Sequence, residues 1–157
     1  MLEEALATTI ALRSVLESEV ERARAEREVL RTLDSDRLFA GAAARAGFNA
    51  RVAELEGRLA ADLGRAAGTL GLTEVTLARL AERAPAQTAA LSRALADVRA
   101  LAAALAELDR LNLLLAGRAL ACVQSYLTAL QPPPTAYDRR GARASTAPSR
   151  GTHWSKV

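Results

Sequence analysis

Apolar residues recur at steps of three and four along most of this chain, the spacing that lines one face of an α-helix. The first pattern covers 2–33 and the second covers about 37–68. Asp34, Ser35 and Asp36 stand between them, and such residues favour helix caps and turns because they compete for backbone hydrogen bonds. The pattern therefore predicts two consecutive helices joined by a short turn.

A second break begins where Gly68 to Gly71 end the pattern. We expect a short helix at about 74–83 and then one long helix from Ala86 to about Gln131, with Pro85 as the place for a kink. Three consecutive prolines at 132–134 terminate this last helix, because proline lacks a backbone donor and disfavours helix in the residue before it.

The long helix contains one apolar row that keeps alternating steps of three and four, as in a coiled-coil seam. Its members are Leu91, Ala94, Val98, Leu101, Leu105, Leu108, Asn112, Leu115, Ala119, Cys122, Tyr126 and Ala129. We interpret Leu91 to Leu108 as core and Tyr126 as packing at the edge of the core. Asn112 is the only strongly polar member, and it has two possible roles: it fixes the register of the helices, or it bonds to a binding partner.

A second apolar row starts after Asn112, about 100° around the helix. Its members are Leu113, Ala116, Leu120, Val123, Leu127 and Leu130. A helix that is apolar on most sides must be covered on most sides. The cover is either extra core within the chain or a helix of another protein, and periodicity alone leaves both open.

Composition favours long, narrowly packed helices over a wide core. Half of the residues are hydrophobic but only 3% are aromatic, and alanine, leucine, arginine and glutamate are strong helix formers. We therefore predict an all-α fold, an elongated three-helix antiparallel coiled-coil-like bundle over 1–131. Residues 132–157 have no apolar period and are predicted to be a flexible, disordered basic tail.

Charge is concentrated in that tail, which holds five cations and one acid within a chain of net charge +3. A scattered basic tail without a compact stripe gives little support for nucleic-acid binding. The single Cys122 excludes an internal disulfide, and the acidic N-terminus is unlike a signal peptide. Leu111 to Val123 is too short to span a membrane and contains Arg118. We expect a cytoplasmic protein without membrane insertion.

The chain offers no recognisable catalytic constellation or cofactor site. Its glycines lack the lysine and serine or threonine pattern of a phosphate-binding loop. His153 is the only histidine and has no partners for a metal, and Cys122 has no histidine near it in the sequence. Acidic residues are expected on solvated helix faces. We therefore predict neither an enzyme nor a cofactor or metal.

The segment 108–141 contains nine residues that follow three motifs in order, L-x-x-x-N-G-x-L-L, then L-x-x-L-x-P, then T-x-Y-G-x-x-G. They are Leu108, Asn112, Leu115, Leu127, Leu130, Pro132, Thr135, Tyr137 and Gly141. In these motifs the segment resembles the C-terminal part of the FlgN family of flagellar type III export chaperones. Leu113 and Asp138 stand where the family has glycines. Nearer the N-terminus the likeness is looser, with Glu26, Leu30, Leu38 and Val52 at corresponding positions and Arg45 where lysine is usual.

The resemblance implies that the last helix binds the C-terminal helices of the hook–filament junction proteins FlgK and FlgL. The residues expected to bind this client are Asn112, Leu113, Ala116, Leu120, Val123, Leu127 and Leu130. The resemblance also implies that the tail docks on the export gate component FlhA through Tyr137, with Arg139 and Arg140 beside this tyrosine. The alternatives are a helical adaptor or homodimeric coiled-coil scaffold that uses the second row for self-association, and a nucleic-acid binder that uses the tail.

Overall fold

The computed structural model describes residues 2–130 and, as backbone, 136–137 and 143–144. It contains four helices and two short strands: α1 Glu3–Thr32, α2 Ser35–Thr69, α3 Leu77–Arg83, α4 Pro85–Leu130, β1 Ala136–Tyr137 and β2 Arg143–Ala144. The helical fold is confirmed, and α3 lies within the short helix expected at about 74–83. Counted with it, the described residues form four helices, so the predicted three-helix count is wrong.

The turn between α1 and α2 lies where the sequence predicts it. Leu33 ends α1 in the left-handed conformation with φ 53°, a position that usually holds glycine or asparagine. Asp34 then caps α2, since its Oδ1 accepts a hydrogen bond from the backbone N–H of Arg37 at 3.1 Å. The chain thus reverses within two residues.

The connection from α2 through α3 to α4 contains, in this order, a glycine, a threonine cap and a proline. Gly71 has φ 68°, which costs glycine nothing. Thr76 caps α3 by accepting from the N–H of Arg79 at 3.2 Å. Ala84 separates α3 from α4, and Pro85 is the first residue of α4, where its missing N–H is no loss. Pro85 therefore begins the long helix, and the expected kink becomes a break.

Hydrogen bonds made by side chains between helices fix the directions of the three long helices. α2 runs antiparallel to α1, and α4 runs antiparallel to α2 and therefore parallel to α1. The pairs that establish this are Thr8 with Asp62, Glu19 with Arg45, Arg45 with Asp109, Arg13 with Asp97 and Ala23 with Asn112. The described residues of the three helices thus follow the predicted up-down-up order.

The core consists of two apolar clusters. One contains Leu12, Leu16, Val20, Ala23, Leu55 and Leu105, from α1, α2 and α4. The other contains Leu2, Ala5, Ala66, Leu80 and Leu91, so that α3 closes one end with Leu80. Leu91, Ala94 and Leu105 are buried, and Val98, Leu101 and Leu108 pack against the first cluster. This confirms the seam predicted from Leu91 to Leu108.

The chain divides into two compact units, Met1–Ala121 and Cys122–Val157. In the second, β1 and β2 pair antiparallel, with Ala136 opposite Ala144 and Tyr137 opposite Arg143. These four residues form paired strands instead of the predicted disordered chain. A two-residue ladder contributes little stability by itself. The rest of the predicted flexible tail lies outside the described residues.

Candidate binding surface

Burial of α4 ends at Asn112. From Leu113 to Leu130 none of its residues is buried, although the segment is rich in large apolar side chains. Those that are exposed are Leu113, Leu114, Leu120, Val123, Tyr126, Leu127 and Leu130, with exposed fractions from 37% at Val123 to 79% at Leu130. The interpretation of the second row as extra core is therefore wrong for its five large residues, Leu113, Leu120, Val123, Leu127 and Leu130.

The second row forms a narrow stripe on this uncovered segment. At 100° per residue its six members fall within about 100° of the helix circumference, over about 27 Å of helix length. Five of them are exposed, and Ala116 is half-buried. No charged residue belongs to the stripe. We call these six residues, Leu113, Ala116, Leu120, Val123, Leu127 and Leu130, the client row.

Asn112 differs from the other residues that the sequence associated with a client. Its side chain is only 5% exposed. Its Nδ2 donates to the carbonyl oxygen of Ala23 at 2.8 Å and to Oε2 of Glu26 at 3.0 Å. Its Oδ1 is buried without a hydrogen-bond partner. The amide is thus committed to α1, which is the geometry expected for a residue that fixes helix register. It is not accessible as part of the client row.

The seam row is half-buried at Leu115 and Ala119 and loses its cover from Cys122 onward, contrary to the prediction for Tyr126. Cys122 and Tyr126 are exposed, and Tyr126 retains 68% of its accessible surface. Helix length gives the reason: α1 has nine residues after Ala23, whereas α4 has 18 after Asn112. The predicted seam continues in sequence, but α1 ends before it does.

A polar cluster joins the three helices just before the uncovered segment begins. Arg45 of α2 contacts Glu19 of α1 and Asp109 of α4, and Arg22 pairs with the same Glu19. Arg45 also lies over the ring of Phe48, 5.3 Å from its centroid. Burial of Glu19 would raise the pKa of its carboxyl, but hydrogen bonds from Arg22 and Arg45 outweigh that effect and hold this pKa below its ordinary value.

The expectation that acidic residues lie on solvated faces is therefore wrong for Glu19 and Asp62. Both are buried, and Asp62 accepts from the Thr8 hydroxyl at 2.7 Å and pairs with Arg65. Alanine-rich seams leave room for long polar side chains between helices. Regular charge spacing gave no sign of which carboxylates face inward. These pairs tie the helices of the bundle together.

Three predicted docking residues fall in the tail. Tyr137 lies in β1, where the structure describes only the backbone. Arg139 and Arg140 lie outside the described residues, as does His153. Within the described part of the chain, no group of three or more histidine, cysteine or acidic residues could hold a metal ion.

α4 is also long and apolar enough to cross a membrane, by length and composition alone. It contains an 18-residue window of mean hydropathy 1.4, and none of that window is buried. Only windows within 110–130 hold two charged residues or fewer, so the window coincides with the uncovered segment. The sequence expectation rested on uncharged runs and missed it, because a single arginine is tolerated at this mean hydropathy.

A family model described as FlgN protein matches residues 1–145. The match includes all four helices and both strands. No curated protein and no solved structure matches the chain.

Proposed function

We propose that this chain, which belongs to the FlgN family, is a cytoplasmic chaperone for hook–filament junction proteins of the FlgK and FlgL type. Membership makes the chain a flagellar export chaperone in its general class, and the family is one of chaperones, not of enzymes. The more specific proposal is that the client row of α4 holds the C-terminal helices of these clients and keeps them unassembled. The observation that supports it most directly is the uncovered apolar stripe on an otherwise packed helix.

The stripe has the chemistry of a helix-binding surface. Apolar residues at i, i+3, i+4 and i+7 are the anchors through which amphipathic helices pair. Fully burying an exposed leucine or valine side chain is worth about 1.5–3 kcal/mol. The five large residues are 37–79% exposed, so covering them supplies a gross term of about 5–9 kcal/mol. Association costs of about 4–15 kcal/mol offset much of this. A client helix of about five turns would match its length.

The test uses the full-length protein and the C-terminal segment of a junction protein from the same bacterium. Leu120→Asp with Val123→Asp should weaken binding in calorimetry by at least about 100-fold, because two apolar contacts are lost and two charges must be desolvated. Helicity by circular dichroism should stay unchanged, since both side chains are exposed.

Leu114→Asp is the matched control. Leu114 is 52% exposed, close to the 58% of Leu120, but it lies about 120° away around the helix. This variant should bind the client like the wild type. Equal loss in both variants would contradict the client row, and a tight dimer that ignores the client would favour the scaffold alternative.

Delivery to the export gate component FlhA forms the second half of the proposal, with Tyr137 as the anchor and Arg139 and Arg140 as aids to encounter with an acidic surface. Tyr137→Ala should leave client binding intact and weaken capture of the chaperone by the gate's cytoplasmic domain. Tyr137→Phe, which keeps the ring, should retain most of the capture. If client binding falls while gate capture persists, Tyr137 belongs to the client site and the two-site arrangement is wrong.

A further inference from the structure

The apolar surface at the end of α4 is wider than one partner helix covers. The client row spans about 100° of the circumference, but Ala119, Cys122, Tyr126 and Ala129 extend the apolar arc to about 200°. Over 120–130 every residue of this arc is exposed. The opposite half carries Gln124, Ser125 and Thr128. The segment is therefore an amphipathic helix divided almost equally into an apolar and a polar half.

The charged residues that follow this apolar segment in the sequence are mostly cations. Between Leu111 and Tyr137 the only charged residue is Arg118. The tail that follows Tyr137 holds five cations and one acid. Helices with a half-apolar circumference lie in the interface of a bilayer, and nearby cations add attraction to anionic lipids. The arc also contains Tyr126, 68% exposed, and tyrosine is favoured at the headgroup level.

We propose that, in addition to its proposed function, the free protein binds anionic phospholipid bilayers through the apolar half of 119–130 and the basic tail. The helix lies in the interface and does not span it, because the polar half and Arg118 remain in contact with water and headgroups. The lipid and the client compete, since both cover the client row. This inference goes beyond the chaperone function and stands on the width of the arc and the charge of the tail.

One native residue makes the binding measurable. Cys122 is the only cysteine of the chain and is exposed within the apolar arc, so an environment-sensitive dye placed there reports entry into the bilayer. The full-length protein is mixed with vesicles of phosphatidylcholine containing phosphatidylglycerol, or of phosphatidylcholine alone. We expect co-sedimentation and a blue shift with the anionic vesicles, and at least about tenfold weaker binding to the neutral ones.

A matched pair of variants separates insertion of the helix from simple charge attraction. Tyr126→Asp and Thr128→Asp add the same charge two residues apart, but about 160° apart around the helix. Tyr126→Asp should abolish the blue shift and most of the sedimentation, whereas Thr128→Asp should retain both. Arg139→Gln and Arg140→Gln should each weaken binding by about fivefold.

The outcomes also separate this proposal from the chaperone function. Tyr126 lies outside the client row, so Tyr126→Asp should still bind the client in calorimetry while it fails to bind vesicles. Equal vesicle binding by the Tyr126→Asp and Thr128→Asp variants would overturn the proposal, because only tail electrostatics would then act. Absence of binding to anionic vesicles at millimolar lipid would overturn it as well, whatever the client result.

Discussion

Replacing Asn112 by leucine should not destabilise the bundle, although it removes two hydrogen bonds from a buried side chain. The amide nitrogen faces two acceptors, the carbonyl of Ala23 and the carboxylate of Glu26, while Oδ1 is buried without a partner. An unsatisfied buried acceptor carries its full desolvation cost. Leucine has the same branching and the same number of side-chain heavy atoms, and it removes that cost together with the bonds.

The free energy lost with the two hydrogen bonds is nearly equal to the free energy gained by removing the orphan oxygen and burying leucine. The bond to the Ala23 carbonyl is worth about 1 kcal/mol and the charged bond to Glu26 about 1.5–3 kcal/mol. Against these stand about 1–3 kcal/mol for the orphan oxygen and about 1.5–3 kcal/mol for burying a leucine side chain. Asn112→Leu should therefore lie within about 1 kcal/mol of the wild type or be more stable. Asn112→Ala loses the same bonds without the apolar gain and should be destabilised by about 2 kcal/mol.

Urea denaturation, monitored by circular dichroism, gives the free energy of unfolding of both variants. The two values are compared using the same slope of free energy against urea concentration. Sedimentation velocity gives a second readout, because leucine at position 112 makes the seam continuous and removes the residue that fixes the register of α4. We expect more self-association in Asn112→Leu than in Asn112→Ala. A destabilisation of Asn112→Leu as large as that of Asn112→Ala would refute the reasoning, since the two hydrogen bonds would then outweigh the orphan oxygen and the apolar burial.

Three further outcomes test the packing. The pKa of Glu19 is lowered in the folded state, so its stabilising contribution is complete above the unfolded-state pKa of about 4.5 and is lost as the pH falls through the folded-state pKa. Glu19→Gln should therefore reduce the loss of thermal stability that occurs below pH 4.5. Leu33→Gly should raise the melting temperature, since a left-handed leucine costs about 1 kcal/mol, whereas Leu33→Ala should not. Leu91→Ala, at a fully buried position, should lower the free energy of unfolding by about 2–5 kcal/mol in urea titrations.

The helices and their ends were predictable because local chemistry fixes them. Asp34 caps α2, and Pro85 begins α4, as the cap preference of aspartate and the missing donor of proline require. The full separation of α3 from α4 was not predictable, because periodicity places an interruption at Pro85 without deciding between a kink and a break. The alternation of the seam from Leu91 to Leu108 was sufficient to identify the α4 core.

The limits of the core along α4 could not be read from the sequence. Leu108 and Tyr126 occupy equivalent positions of one unbroken row, yet Leu108 packs against the core and Tyr126 is exposed. The difference depends on where α1 ends, which is a property of another segment of the chain. For the same reason, helical spacing places Glu19 on α1 but gives no sign that Arg45 and Arg22 reach it in the interior.

The distribution of large and small apolar residues explains how one short chain combines a stable bundle with an uncovered apolar end. Small residues such as Ala5, Ala23, Ala66 and Ala94 occupy buried positions, which lets the helices approach closely with little bulk. The bundle therefore closes by Asn112 without using the leucines that follow it. None of those leucines is buried, and Leu113, Leu114, Leu120, Leu127 and Leu130 are exposed, so substitutions at these five should alter binding without unfolding the protein. Stability and recognition thus lie on different stretches of the same helix, and this separation allows the proposed binding surfaces to be mutated without destabilising the bundle.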